Sequence, residues 1–122
     1  MNAISVAQKG YASTSAPTRT PRSAEYEAVA RITHRIRLAQ QEGEQGFPAL
    51  VEALHVNRKL WTIFAAEVVD ADNTLPVKLK ADLFSLAEFT RQHTSKVLAR
   101  KAPVDPLLEV NTAIMRGLRG GA

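Results

Sequence analysis

Leu54-His55-Val56-Asn57-Arg58-Lys59-Leu60-Trp61 contains the single tryptophan of this chain, and its reading at helical period decides the fold. At about 100° per residue, Leu50, Leu54, Asn57, Trp61, Phe64, Ala65 and Val68 fall within one narrow arc. An asparagine therefore lies in the middle of an apolar stripe, where a side-chain amide is costly unless its hydrogen bonds are met. The pattern returns near the C-terminus. Leu107, Asn111, Ile114 and Leu118 share a face, with Leu108 and Met115 beside them. Asparagines on the inner faces of two helices point either to a specified packing register or to a surface that awaits a partner.

Outward from this stretch, prolines divide the chain. Pro21, Pro48, Pro76 and Pro106 each precede a run of helical period. Proline suits the first helical position, where its missing N–H has no intrahelical partner. Thr20 and Asp105, each just before a proline, are expected N-caps. Breakers agree with this division: Glu42 to Gly46, Asp70 to Thr74, Lys101 to Pro103, and the glycines from Gly117 onward. Alternation never persists long enough for a strand. The fold expected is all-α, a bundle of four main helices at about 21–42, 48–70, 76–101 and 106–119. Short connections make successive helices antiparallel neighbours. On the first helix Val29, Ile32, Thr33 and Ile36 form a narrow core face. On the third, Leu79, Leu83, Leu86, Ala87, Val97 and Leu98 form a broad one, with Thr90 and Thr94 on it. The bundle domain is expected over 20–119. Residues 1–19 form a loosely attached N-terminal segment, helical or flexible, in which Ile4, Ala7 and Tyr11 have helical spacing before a Ser/Thr/Pro linker.

At 122 residues and 45% hydrophobic content, the chain is one soluble domain able to bury a core without staples. It has no cysteine, which excludes disulfides, thiolate metal sites and thiol chemistry. No stretch reaches the length of a transmembrane helix, so no membrane insertion is expected. Met1 to Ala16 lacks the compact apolar run of a signal peptide, and a cytoplasmic location is expected. The net charge of +4 permits acidic partners without demanding them.

Chemistry is hard to place in this sequence. His34, His55 and His93 lie on three different helices, off the apolar stripes, without the i, i+4 pairing of a metal site. There is no G-x-S-x-G and no glycine-rich phosphate loop, and Glu42 with Glu44 reads as solvated loop charge. No enzyme, cofactor or metal is expected. Arg31, Arg35 and Arg37 with His34 make one face of the first helix basic. Glu27 stands at i, i+4 to Arg31, as on an ordinary solvated helix, and no nucleic-acid module is recognisable.

Asn57 and Asn111 admit two readings. In one, they satisfy each other or backbone carbonyls and fix the register of the second and fourth helices, with Arg58 and Glu109 adding a salt bridge. In the other, Asn57, Arg58, Trp61, Glu109, Asn111 and Met115 belong to a groove that takes a partner helix, since tryptophan, arginine and methionine suit such surfaces. A break of the second helix near His55 would instead make Asn57 an N-cap.

The strings Leu54-His-Val-Asn57-Arg58-Lys-Leu-Trp61, Asn73-Thr-Leu-Pro76, Ser85-Leu-Ala-Glu-Phe89-Thr, Val104-Asp-Pro106-Leu-Leu-Glu109-Val-Asn111 and Ile114-Met115-Arg-Gly117-Leu118 stand in this order. Together they resemble the bacterial flagellar biosynthesis regulator family FlaF, over roughly Pro21 to Leu118. The resemblance implies a cytoplasmic flagellum-assembly factor that binds flagellin as a secretion chaperone, supports its export and regulates its synthesis. A second flagellar regulatory protein is a further partner in that setting. The ends of flagellin are long amphipathic helices, which a helical bundle can shelter by the helix-in-groove mode. The alternatives are an RNA-level regulator of flagellin expression, acting through Arg31, Arg35 and Arg37, and a structural adaptor.

Overall fold

The computed structural model describes the backbone of residues 21–120 and the side chains of residues 24–117. The expected N-terminal segment, the Thr20 cap and the Leu118 side chain lie outside these residues. Four helices make up the bundle: α1 (Pro21–Gln41), α2 (Phe47–Val69), α3 (Val77–Leu98) and α4 (Asp105–Gly120), with a 3-10 turn at Gly43–Gly46 between the first two. No strand is present among the described residues. The prolines act as their chemistry requires. Pro48 lies in the first turn of α2, Pro76 is the cap residue of α3, and Pro106 lies in the first turn of α4. α2 runs unbroken through His55, so Asn57 is not a cap.

Two helix ends differ from expectation. Asp105 does not cap α4. The Val104 carbonyl accepts the N–H groups of Leu107 (2.9 Å) and Leu108 (3.4 Å), which makes buried Val104 the cap residue. The Asp105 carboxylate instead accepts a 2.6 Å hydrogen bond from Gln40 Nε2 on α1. The third helix stops at Leu98, short of 101, in a Schellman closure. Lys101 N–H donates to the Lys96 carbonyl (2.9 Å) and Arg100 N–H to the Val97 carbonyl (2.9 Å). Arg100 takes the left-handed position that glycine normally fills, at φ 60°. Its guanidinium lies 4.0 Å from the Phe47 ring centroid and pairs with Glu44 at 3.2 Å, tying this corner to the start of α2. Truncating it to alanine keeps the backbone strain and loses the ring contact, whereas glycine relieves the strain. Arg100→Gly should therefore be more stable than Arg100→Ala by about 1 kcal/mol in urea unfolding; the reverse order would show that this position carries no strain.

Long-range hydrogen bonds set the helix directions. Gln40 with Asp105 and Arg37 with Thr112 run α4 antiparallel to α1. Glu44 with Arg100 and Arg58 with Ser95 run α3 antiparallel to α2. α1 packs against α2 and α4, and α2 also packs against α3, while α3 and α4 meet only slightly. α2 and α4 thus face each other diagonally across the core.

At the centre of that core Trp61 meets Phe64 edge-on, with centroids 5.4 Å apart, among buried Val29, Ile36, Leu54 and Leu107. The core face expected of α1 is buried throughout: Val29, Ile32, Thr33 and Ile36. The face expected of α3 is not. Ala87, Thr90, Thr94 and Val97 are buried, but Leu83, Leu86 and Leu98 are half-buried and Leu79 is 42% exposed. The reason is length. α4 starts beside the C-terminal end of α3 and has 16 residues against 22, so it leaves the N-terminal part of α3 uncovered.

Candidate functional site

Periodicity places Asn57, Trp61 and Asn111 inward, and in the structure they converge. Asn111 is the hub. Its Oδ1 accepts from Trp61 Nε1 at 2.9 Å, and its Nδ2 donates to Asn57 Oδ1 at 2.9 Å and to Thr33 Oγ1 at 3.1 Å. The Thr33 hydroxyl passes the chain on to the Val29 carbonyl at 2.7 Å. The tryptophan dictates every orientation in this network. An indole N–H can only donate, so it fixes which end of the Asn111 amide is oxygen. That turns Asn111 Nδ2 toward α1 and α2, which in turn requires Asn57 to present its oxygen. Asn57 Nδ2 is left buried without a hydrogen-bond partner, as is Thr90 Oγ1. Sequence reasoning paired the asparagines but missed Thr33 as a member; its place on the narrow α1 stripe was the available signal.

This arrangement is a register lock joining α1, α2 and α4. Asn57, Trp61 and Asn111 are at most 1% exposed, so no groove opens to solvent at these three residues in the free chain. A surface probe such as Asn111→Asp would act on the core. The expected salt bridge between Arg58 and Glu109 is not made. Arg58 follows Asn57 by one residue, a rotation of about 100°, and so points at α3 rather than across the core. There its Nη2 donates to Ser95 Oγ at 3.3 Å. Glu109 is exposed and lines a shallow cleft of about 300 Å³ with Arg37, Asp105, Leu108, Thr112 and Arg116. Met115 is half-buried at the edge of the core.

His34 and His55 are exposed, as expected off the apolar stripes. His93 differs. It is half-buried, stacks on Phe89 at 5.2 Å, and its Nε2 lies 2.8 Å from the Pro103 carbonyl. No three carboxylate or imidazole side chains among the described residues converge as a metal site would need. Arg31, Arg35 and Arg37 are exposed on α1, with Arg37 Nη2 reaching Thr112 Oγ1 at 3.3 Å.

Apolar surface is also left open at the start of α3. Leu79, Leu83 and Leu86 follow one another on α3 at intervals of four and three residues, the spacing of a single helix face, with Leu75 just ahead of the helix and Leu86 already packed against the core. Leu75 is 38% and Leu79 42% exposed, and Leu83 is half-buried without joining the core cluster. Half-buried Ile114 lies at the same end, on α4. The loop leading in is built rather than loose. Asn73 Nδ2 donates to the Glu67 carbonyl (3.0 Å) and its Oδ1 accepts the Leu75 N–H (2.9 Å), which closes α2 and holds Leu75 at the mouth of the stripe. Asp70 Oδ1 accepts the Asp72 N–H (2.9 Å) in a similar local turn.

The family model for the flagellar protein FlaF matches residues 7–118. The chain belongs to the FlaF family, and its role is flagellar. No curated protein and no solved structure matches it. No described helix is long and apolar enough to cross a membrane.

Proposed function

We propose that this chain binds newly made flagellin in the cytoplasm, shelters one of its amphipathic end helices before export, and regulates flagellin synthesis through that contact. The observation that carries this reading is the start of α3, where Leu79 is exposed and Leu83 is half-buried outside the core, with exposed Leu75 just ahead of the helix, in a chain of a flagellar family. An amphipathic helix laid along it would bury leucines from both sides by the helix-in-groove mode. The process is reversible burial of apolar surface, with no bond made or broken.

Leu79→Asp tests the seat of binding. Position 79 is the third residue of α3, where a carboxylate complements the helix dipole, so the fold should persist. Titration calorimetry with purified flagellin should give micromolar affinity or better for the native chain, about −8 kcal/mol. Leu79→Asp should weaken it by at least about tenfold with an unchanged helical spectrum, the loss expected for part of one leucine contact. Moderate salt should change it little, since the contact is apolar. Reversing Arg35 and Arg37 to glutamate should leave it intact. If those reversals alone impair flagellin production while no complex with flagellin forms, the RNA-level regulator replaces this reading.

A further inference from the structure

We infer that the outer face of α3 pairs with the same face of a second copy of this chain, the two helices antiparallel about a twofold axis at Phe89. Asp82, Ser85, Phe89, Gln92 and Lys96 are all exposed. At about 100° per residue they share one arc of about 80°, turned away from buried Ala87, Thr90 and Thr94. Three features of this face point to a second copy as its occupant. The first is a held aromatic ring. Phe89 is 41% exposed, and His93 stacks on it at 5.2 Å with the planes 17° apart. His93 is fixed in turn, its Nε2 2.8 Å from the Pro103 carbonyl. An exposed ring that has already lost its freedom costs little entropy to bury, as an interface anchor requires. The second is charge. Asp82 stands seven residues before Phe89, and Lys96 seven residues after it. A twofold axis at Phe89 therefore brings the two rings together and sets Asp82 of each copy against Lys96 of the other. Such self-complementarity is what an isologous contact needs. Lys96 has no ion-pair partner among the described residues. Asp82 pairs with Lys78 at 3.2 Å, but both side chains are largely exposed, so its carboxylate can be shared. The third is pitch. Residues seven apart drift by about 20° around an α-helix, which a pair of helices crossing at about 20° absorbs. Beyond the ion pairs the axis would bring Lys78 toward Arg100, but Arg100 is turned onto Phe47 and Glu44.

Sedimentation equilibrium of the full chain tests this pairing. One helix from each copy makes a small contact, so the dimer should be weak, with a Kd on the order of 0.1 mM. Asp82→Lys and Lys96→Asp should each weaken it at least about tenfold, because either change turns both ion pairs into like-charge contacts. Both positions are exposed, so the helical spectrum should stay unchanged. The two variants mixed in equal amounts should pair again with about the native Kd, since every charge on one face then meets its opposite on the other. The chain carrying both reversals should likewise dimerise as the native chain does. Phe89→Ala should weaken the dimer about tenfold or more, through loss of the ring at the axis. A native chain that stays monomeric at about 1 mM overturns the inference. So does a dimer that survives either single reversal, which places the contact elsewhere on the bundle. Folded single variants that fail to pair when mixed overturn the antiparallel register, and with it the axis at Phe89.

Discussion

Replacing Asn111 with leucine is expected to destabilise the bundle by about 3 kcal/mol, and replacing Asn57 by only about 1 kcal/mol. The two asparagines are bonded to each other, yet their positions in the network are unequal. Asn111→Leu orphans the Trp61 N–H and the Asn57 oxygen together, both fully buried, and removes the donor that Thr33 accepts. Asn57→Leu takes away a single acceptor, and Asn111 can still donate to Thr33. It also removes the Asn57 N–H group that has no partner in the native core. The double variant leaves the Trp61 N–H as the main orphan, so it should cost less than the two single changes added together. Urea unfolding of the native chain and the three variants measures this directly, with a coupling between sites on the order of 1 kcal/mol. Equal costs for the single changes, or strict additivity, would mean that Asn111 is not the hub.

The helix period was enough to turn Asn57 and Asn111 inward because both stand within long apolar stripes. Proline placement together with the helical runs that follow Pro21, Pro48, Pro76 and Pro106 is enough to count the helices, since no other residue both lacks the N–H and fits the first turn. What the sequence hid depends on relations between helices. Period assigns Leu79 and Leu83 to the inner side of α3 but carries no information about how far α4 extends along it, so an uncovered stripe reads as core. Asp105 has the chemistry of a cap, but Gln40, far away in sequence, claims its carboxylate. α3 stops three residues before its period predicts, because Arg100 stands where a glycine would signal the stop. Arg58 and Glu109 each adjoin or nearly adjoin an inward asparagine, which pairs them on sequence alone, but neighbours in sequence leave a helix in different directions. For the candidate site, the polar lock was thus partly legible, whereas the apolar stripe needed the relative lengths of two packed helices.

Gly46→Ala is expected to cost about 3 kcal/mol, the upper end for overpacking, although the backbone there is ordinary. Gly46 has φ −83° and ψ −4°, values open to any residue. Space is the difficulty. A Cβ would lie 2.1 Å from the Ala39 carbonyl oxygen and 3.0 Å from its carbon, with Glu42 Cβ at 2.9 Å. The first two are backbone atoms in the last turn of α1, and that carbonyl already accepts the Glu42 N–H. Relief requires α1 and α2 to separate at the corner they share, and a four-residue 3-10 turn has little slack to absorb it. Two other glycines provide the scale. Gly43 has nothing within 4 Å of a Cβ but sits at φ +63°, so alanine there should cost about 1 kcal/mol through backbone strain alone. Gly117 is helical and open, so alanine there should stabilise by up to about 1 kcal/mol. Thermal unfolding of the three variants should rank Gly46→Ala lowest and Gly117→Ala highest. A Gly46→Ala protein as stable as Gly43→Ala would mean that the corner between α1 and α2 yields to the added methyl, and that the close approach of Gly46 to the Ala39 carbonyl does not limit the packing there.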